Sequence, residues 1–146
     1  MIKMSQDNVD ILNSIYKNSK MASECIRHVS SACQNSQFKE YIEKQGCRYE
    51  QNCAKIADEI RSQNGRVEDF PSYEKIMAKM GIDMKTMFDK NDRKAAELMY
   101  NGTNMGIVDI ARTVNRAKDA DQQVLDEAER LLSAEEQYAD GLKRFL

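Results

Sequence analysis

Between Ala96 and Ala117 the residues Ala96, Tyr100, Thr103, Ile107, Ile110, Val114 and Ala117 recur at alternating steps of four and three. That spacing draws one apolar line down a long helix. Gly102 and Gly106 sit one turn apart beside the line, where missing side chains let a neighbouring helix come close. The pattern predicts the central helix of a bundle. Composition agrees: of 146 residues one is Pro, six are Gly and none is Trp, while 41% are hydrophobic and 32% charged, which favours an all-α chain. This length fits one domain, residues 1–146.

Two further stripes follow the same rule in the first half of the chain. Leu12, Ile15, Ser19, Ala22, Ile26, Val29 and Cys33 mark a first helix that starts near Ser5 or Asp7 and runs to about Cys33. Gln34-Asn35-Ser36 breaks the pattern, and Ser36 can cap a second helix to about Gln63, ended by Asn64-Gly65. Its stripe is Ile42, Gly46, Tyr49, Cys53, Ile56 and Ile60, widened by Glu50 and Ala57. The short turn makes these two helices an antiparallel hairpin. From Arg66 to Asp92 Pro71 prevents a continuous helix, although Ile76 to Phe88 is again amphipathic. Arg93–Ala117 and a last helix capped by Asp119 or Asp121 form a second hairpin. A short, a long and a short link thus join four helices of similar length.

Charge and termini bound the function. The net charge of −2 leaves no basic excess for phosphates, so neither nucleic acid nor an acidic lipid surface is an expected partner. The first residues lack the apolar core of a signal peptide, and no later stretch has the length of a membrane span. The expectation is a cytoplasmic protein with Cys25, Cys33, Cys47 and Cys53 reduced.

One position violates the apolar pattern. The stripes of the last helix use Val124, Leu125, Ala128, Leu131, Leu132, Ala139, Leu142, Phe145 and Leu146, and both pass through Glu135. Levelling the hairpins sets Thr103 opposite Glu135, and Ser19 and Lys20 opposite Gln51 and Glu50, all near mid-helix. The expected mid-bundle polar site is therefore Lys20, Glu50, Cys53, Thr103, Asn104, Glu135 and Tyr138, with Thr103, Asn104, Tyr138 or Lys20 satisfying the Glu135 carboxylate. In the connector, Met77, Met80, Met84 and Met87 recur at three, four, three, and form either a closing row on the bundle or an adaptable surface for an apolar partner.

Glu50-Gln51-Asn52-Cys53 on helix two and Glu135-Glu136-Gln137-Tyr138 on helix four stand where ferritin-like carboxylate proteins carry their Glu-x-x-His pairs. Together with the long middle link, this resembles the ferritin-like superfamily, in particular bacterial members whose di-metal site is degenerate. The resemblance implies a ferritin-like four-helix bundle with a long crossover between helices two and three carrying a short helix. It implies no intact di-iron centre, because such a centre wants two imidazoles and the chain owns only His28. The expected protein has no cofactor and no metal, and acts as an interaction or structural bundle, not an enzyme, alone or as a homo-oligomer or with a protein partner. The alternatives are a divergent metal-binding or oxidase protein using the mid-bundle carboxylates, and partner binding through the methionine row.

Overall fold

The computed structural model describes residues 5–79, 81 and 91–146. Among the described residues there are five α-helices and no strand. They are α1 (Gln6–Ala32), α2 (Ser36–Ser62), α3 (Tyr73–Lys79), α4 (Asp92–Arg116) and α5 (Gln122–Leu142), the last running into a 3-10 turn at Lys143–Phe145. The all-α expectation holds, and the long helices begin and end close to the expected bounds.

The ends of the helices show why. Ser5 accepts from the Asn8 amide at 3.2 Å and starts α1. Asn35, not Ser36, starts α2, its side-chain oxygen accepting from the amides of Gln37 at 2.9 Å and Phe38 at 3.0 Å. Asn91 does the same for α4. Asp121 precedes α5 without a capping bond from its side chain. Its own amide donates to Asn8 Oδ1 at 2.8 Å, while the amides of Lys118 and Asp119 both donate to Asp7 Oδ2 at 2.8 Å. The first turn of α1 thereby holds the α4–α5 turn. At the opposite end Asp92 accepts from the amides of Gln34 and Asn35, the latter at 2.7 Å.

These ties set the directions. α1 runs antiparallel to α2, since Cys53 lies by Tyr16 and Gly46 by Ile26, close to the level expected of the hairpin. α1 also runs antiparallel to α4, where Ser14 and Asn18 meet Asp109. α2 runs antiparallel to α5 through Tyr49–Glu135, Lys55–Glu127 and Phe38–Phe145. Hence α1 and α5 point one way, α2 and α4 the other. The connector between α2 and α4 has to return along the bundle. Asn13 of α1 stitches its start, donating to Arg66 O and accepting from the Glu68 amide, both at 2.9 Å.

α1, not α4, is the central helix. It touches α2, α3, α4 and α5. Eleven of its residues are buried against five on α4, the helix whose stripe is cleanest in sequence. The line from Ala96 to Ala117 does face inward, with Ala96 and Ile110 buried. Gly106 approaches α1, a Cβ there falling 3.2 Å from Asn18 Oδ1, but Gly102 faces open space.

The core divides lengthwise. One end is aliphatic, built of Ile11, Leu12, Ile15, Ile56, Ile60, Ile110, Val124 and Ala128. The other is aromatic and sulfur-rich, with Cys25, Phe38, Tyr49, Tyr73, Met77, Met99 and Tyr138. Between them Ser19, Ser23 and Glu135 are buried. Met77 is thus a core residue and not part of a partner surface: Tyr73 and Met77, one turn apart on α3, both face the bundle, and Gly81 just beyond takes a left-handed φ of 72°. Met80, Met84 and Met87 lie outside the described residues, as does most of the amphipathic stretch to Phe88. No helix among the described residues is long and apolar enough to cross a membrane.

Candidate functional site

At mid-height, where the two core clusters part, α5 points Glu135 at α2. The carboxylate is 8% exposed and accepts a 2.8 Å hydrogen bond from the Tyr49 hydroxyl, which is itself 2% exposed. Burial pushes the Glu135 carboxyl up from its ordinary value to about 7, with the bond from Tyr49 pulling it back. Tyr49 is raised well above the ordinary tyrosine value, by burial first and then by the Glu135 charge. The pair therefore shares its proton economy: Glu135 changes charge near neutral pH, and Tyr49 remains the donor.

Around the pair lies an aromatic wall. The Tyr138 ring stands edge-on to Tyr49 at 6.0 Å and stacks on Tyr41 at 5.4 Å. Tyr41 donates to the Tyr138 carbonyl at 2.9 Å. Gly141 makes room for it, because a Cβ there would overlap the Tyr41 hydroxyl. The Tyr138 hydroxyl is buried with no hydrogen-bond partner among the described residues, as is that of Tyr73. Tyr73 stacks on His28 at 5.0 Å, and the buried thiol of Cys25, pushed up to about 11 by desolvation, lies beside its hydroxyl. His28 also lies 3.5 Å from Glu74.

The seven residues expected to share this layer separate into four places. Glu135 and Tyr138 occupy it. Glu50 does not: its side chain is 61% exposed and lies 3.7 Å from Arg27, because consecutive helix positions diverge by about 100° and Tyr49 takes the inward one. Lys20 and Cys53 are half-buried on the rim between α1 and α2. Desolvation raises the Cys53 thiol to about 11, with the Lys20 charge opposing it. Thr103 and Asn104 are turned to their own helix, donating to Met99 O at 2.7 Å and Tyr100 O at 3.1 Å. None of the four partners expected for Glu135 hydrogen-bonds it. Tyr49 does, a residue that already stood on the apolar stripe of helix two and whose hydroxyl could have been matched to the violation opposite.

What the layer offers chemically is one carboxyl that titrates near neutrality beside buried phenols. Among the described residues no three His, Cys, Asp or Glu side chains gather where one metal ion could touch them all. A second pair of carboxylates crosses the same seam lower down, Glu59 beside Glu127, with Lys55 3.7 Å from Glu127. Glu59 is raised by burial and by the charge of Glu127.

Fold and layer define a class: an all-α protein of four long helices whose core is divided by a carboxylate–phenol pair. Within that class the chain belongs to the family described as a domain of unknown function (DUF2383), whose model matches residues 7–116. The match spans α1 to α4, so Glu135 and Tyr138 lie beyond the matched residues. No curated protein and no solved structure matches the chain.

Proposed function

We propose that the protein is a ferritin-like bundle whose di-metal centre has decayed and that it works as an interaction or structural module without chemistry of its own. The helix directions support the ferritin-like part. Two antiparallel hairpins joined so that the second and third long helices run parallel require one long crossover, which is the ferritin-like connection. The observation that carries the functional part is the hydrogen bond from Tyr49 to Glu135 together with the outward turn of Glu50 to Arg27. Of the two carboxylates that the resemblance would assign to the metals, one is matched to a phenol and the other faces solvent. A buried carboxyl raised toward neutrality and bonded to a single hydroxyl serves to fix how α2 and α5 meet, as buried polar groups do in other bundles.

The test is elemental analysis of full-length protein purified without chelator from cells supplied with iron, manganese and zinc. The expected result is metal well below one equivalent per chain in both the native protein and Glu135→Ala. A stoichiometric metal that disappears in Glu135→Ala would overturn the reading.

A further inference from the structure

The least covered long helix bears the most conspicuous exposed apolar residues. Met105 is 57% and Val108 46% exposed, and the other large exposed hydrophobic side chain among the described residues, Leu146, ends the chain. Both belong to a shallow groove of about 420 Å³ lined by Asn101, Asn104, Met105, Val108, Asp109 and Arg112. Those positions step by three and one, so they run along one side of α4, with Asp109 at its edge toward α1. The face is held firmly: Asp109 accepts from Ser14 Oγ at 2.9 Å and Asn18 Nδ2 at 2.8 Å, and Gly106 seats α4 against Asn18. Gly102 on its flank projects nothing into the open space there.

We propose that this face of α4 is the contact with a second copy of the chain, the two α4 helices lying antiparallel about a twofold axis that passes between Met105 and Val108. The argument is complementarity of the face with itself. In a twofold contact the same patch serves both subunits. With the axis there, Met105 lies level with the partner's Val108 and Val108 with the partner's Met105, so both apolar pairs leave water together. In the same register Asn101 meets the partner's Arg112 and Glu97 meets the partner's Arg116. Each charge falls opposite one of the other sign or a neutral amide, with no like charges opposed in these pairs. A parallel pairing would set Glu97 against Glu97, Arg112 against Arg112 and Arg116 against Arg116. Helix axes at a contact lie about 8 to 10 Å apart, and the bare flank at Gly102 favours the close end of that range. This deepens the interaction reading by naming the partner, and it rests on that reading for the use the surface is put to.

Sedimentation equilibrium on the full chain tests it. The expected mass at about 100 µM, where a micromolar dimer is saturated, is that of two chains. Val108→Asp should raise the dissociation constant more than about tenfold while circular dichroism and thermal unfolding of the subunit stay native, since the residue is exposed in the single chain. Glu97→Arg and Arg116→Glu should each weaken the dimer, and Glu97→Arg with Arg116→Glu should restore it. A native chain that stays monomeric, a dimer indifferent to Val108→Asp, or a double variant no tighter than the singles overturns the proposal. A metal-free monomer would overturn this inference alone, and a metal-loaded dimer would overturn only the reading before it.

Discussion

The two long seams of α2 are built on opposite principles. Toward α1 the helices come close: Gly46 is bare, and a Cβ there would lie 3.0 Å from Ile26 Cγ2. Toward α5 they are held apart by large side chains, with Tyr41, Tyr49, Tyr138, Phe38 and Phe145 in mutual contact and a carboxyl buried among them. The first seam pairs this close fit with groups at its rim only, the exposed Arg27–Glu50 ion pair and the half-buried Cys53 thiol beside Tyr16 O. The second adds titratable groups, Glu135 at mid-height and Glu59 beside Glu127 nearer the aliphatic end, both raised above the ordinary carboxylate range chiefly by burial. The difference teaches that one helix can carry an interface whose ionisable groups stay at the rim and one that buries a carboxyl on adjacent faces.

The largest expected effect tests that contrast directly. Glu135 holds its proton more tightly folded than unfolded, rising from 4.5 to about 7. Its contribution to stability is therefore complete below pH of about 4.5 and is lost as the pH rises through 7, because the unfolded chain releases the proton first. The loss by pH 8 is on the order of 3 kcal/mol. Urea unfolding at pH 5 and pH 8 should show the native protein weaker at pH 8, and Glu135→Gln should remove most of the difference. Glu59 also rises to about 7 but is only half-buried, so solvent screening leaves a smaller remainder. A difference undiminished in Glu135→Gln would mean that the aromatic seam is not where the pH dependence resides.

The next effect concerns shape on the same seam. Gly141→Ala places a methyl group where the Tyr41 hydroxyl sits, so the ring has to leave the Tyr138 carbonyl and its stack. Overpacking of this kind costs about 1 to 3 kcal/mol. Tyr41→Ala removes the obstacle, so Gly141→Ala added to it should cost far less than it does alone, a coupling that a double-mutant cycle in urea reads out. Additive losses would show that Tyr41 does not occupy the space Gly141 leaves.

How far these features could be read in advance follows the same division. Apolar periodicity, the lone Pro and the break residues placed the four long helices, because a stripe at helical spacing and a change of turn chemistry are local properties. The inward place of Glu135 was legible as a polar residue on two apolar stripes. Its partner was not, since Thr103 and Asn104 satisfied their own backbone and the donor came from α2, across a seam that neither hairpin defines. Glu50 was misplaced by one helical position, a matter of about 100° that decides between core and solvent. The centrality given to α4 failed for a related reason. Periodicity shows that one face is covered, but how many neighbours a helix has depends on the packing of the whole, and α1 carries more polar residues inward than its stripe suggests, Asn8, Asn13 and Ser14 among them.

The smallest effect belongs to the close seam. Gly46→Ala gains about 0.5 to 1 kcal/mol from the lower backbone entropy of alanine in a helix interior. Against this stands the approach of the new methyl to Ile26 Cγ2, 4% exposed in the core, which has to yield by a few tenths of an ångström. The two terms nearly cancel, and the variant should unfold within about 1 kcal/mol of the native protein, at pH 5 and pH 8 alike. Leucine carries no methyl at the Cγ2 position, so in an Ile26→Leu background the same glycine substitution should turn stabilising. If Gly46→Ala instead costs as much as Gly141→Ala, or if its cost changes with pH, the two seams of α2 are not governed by different physics.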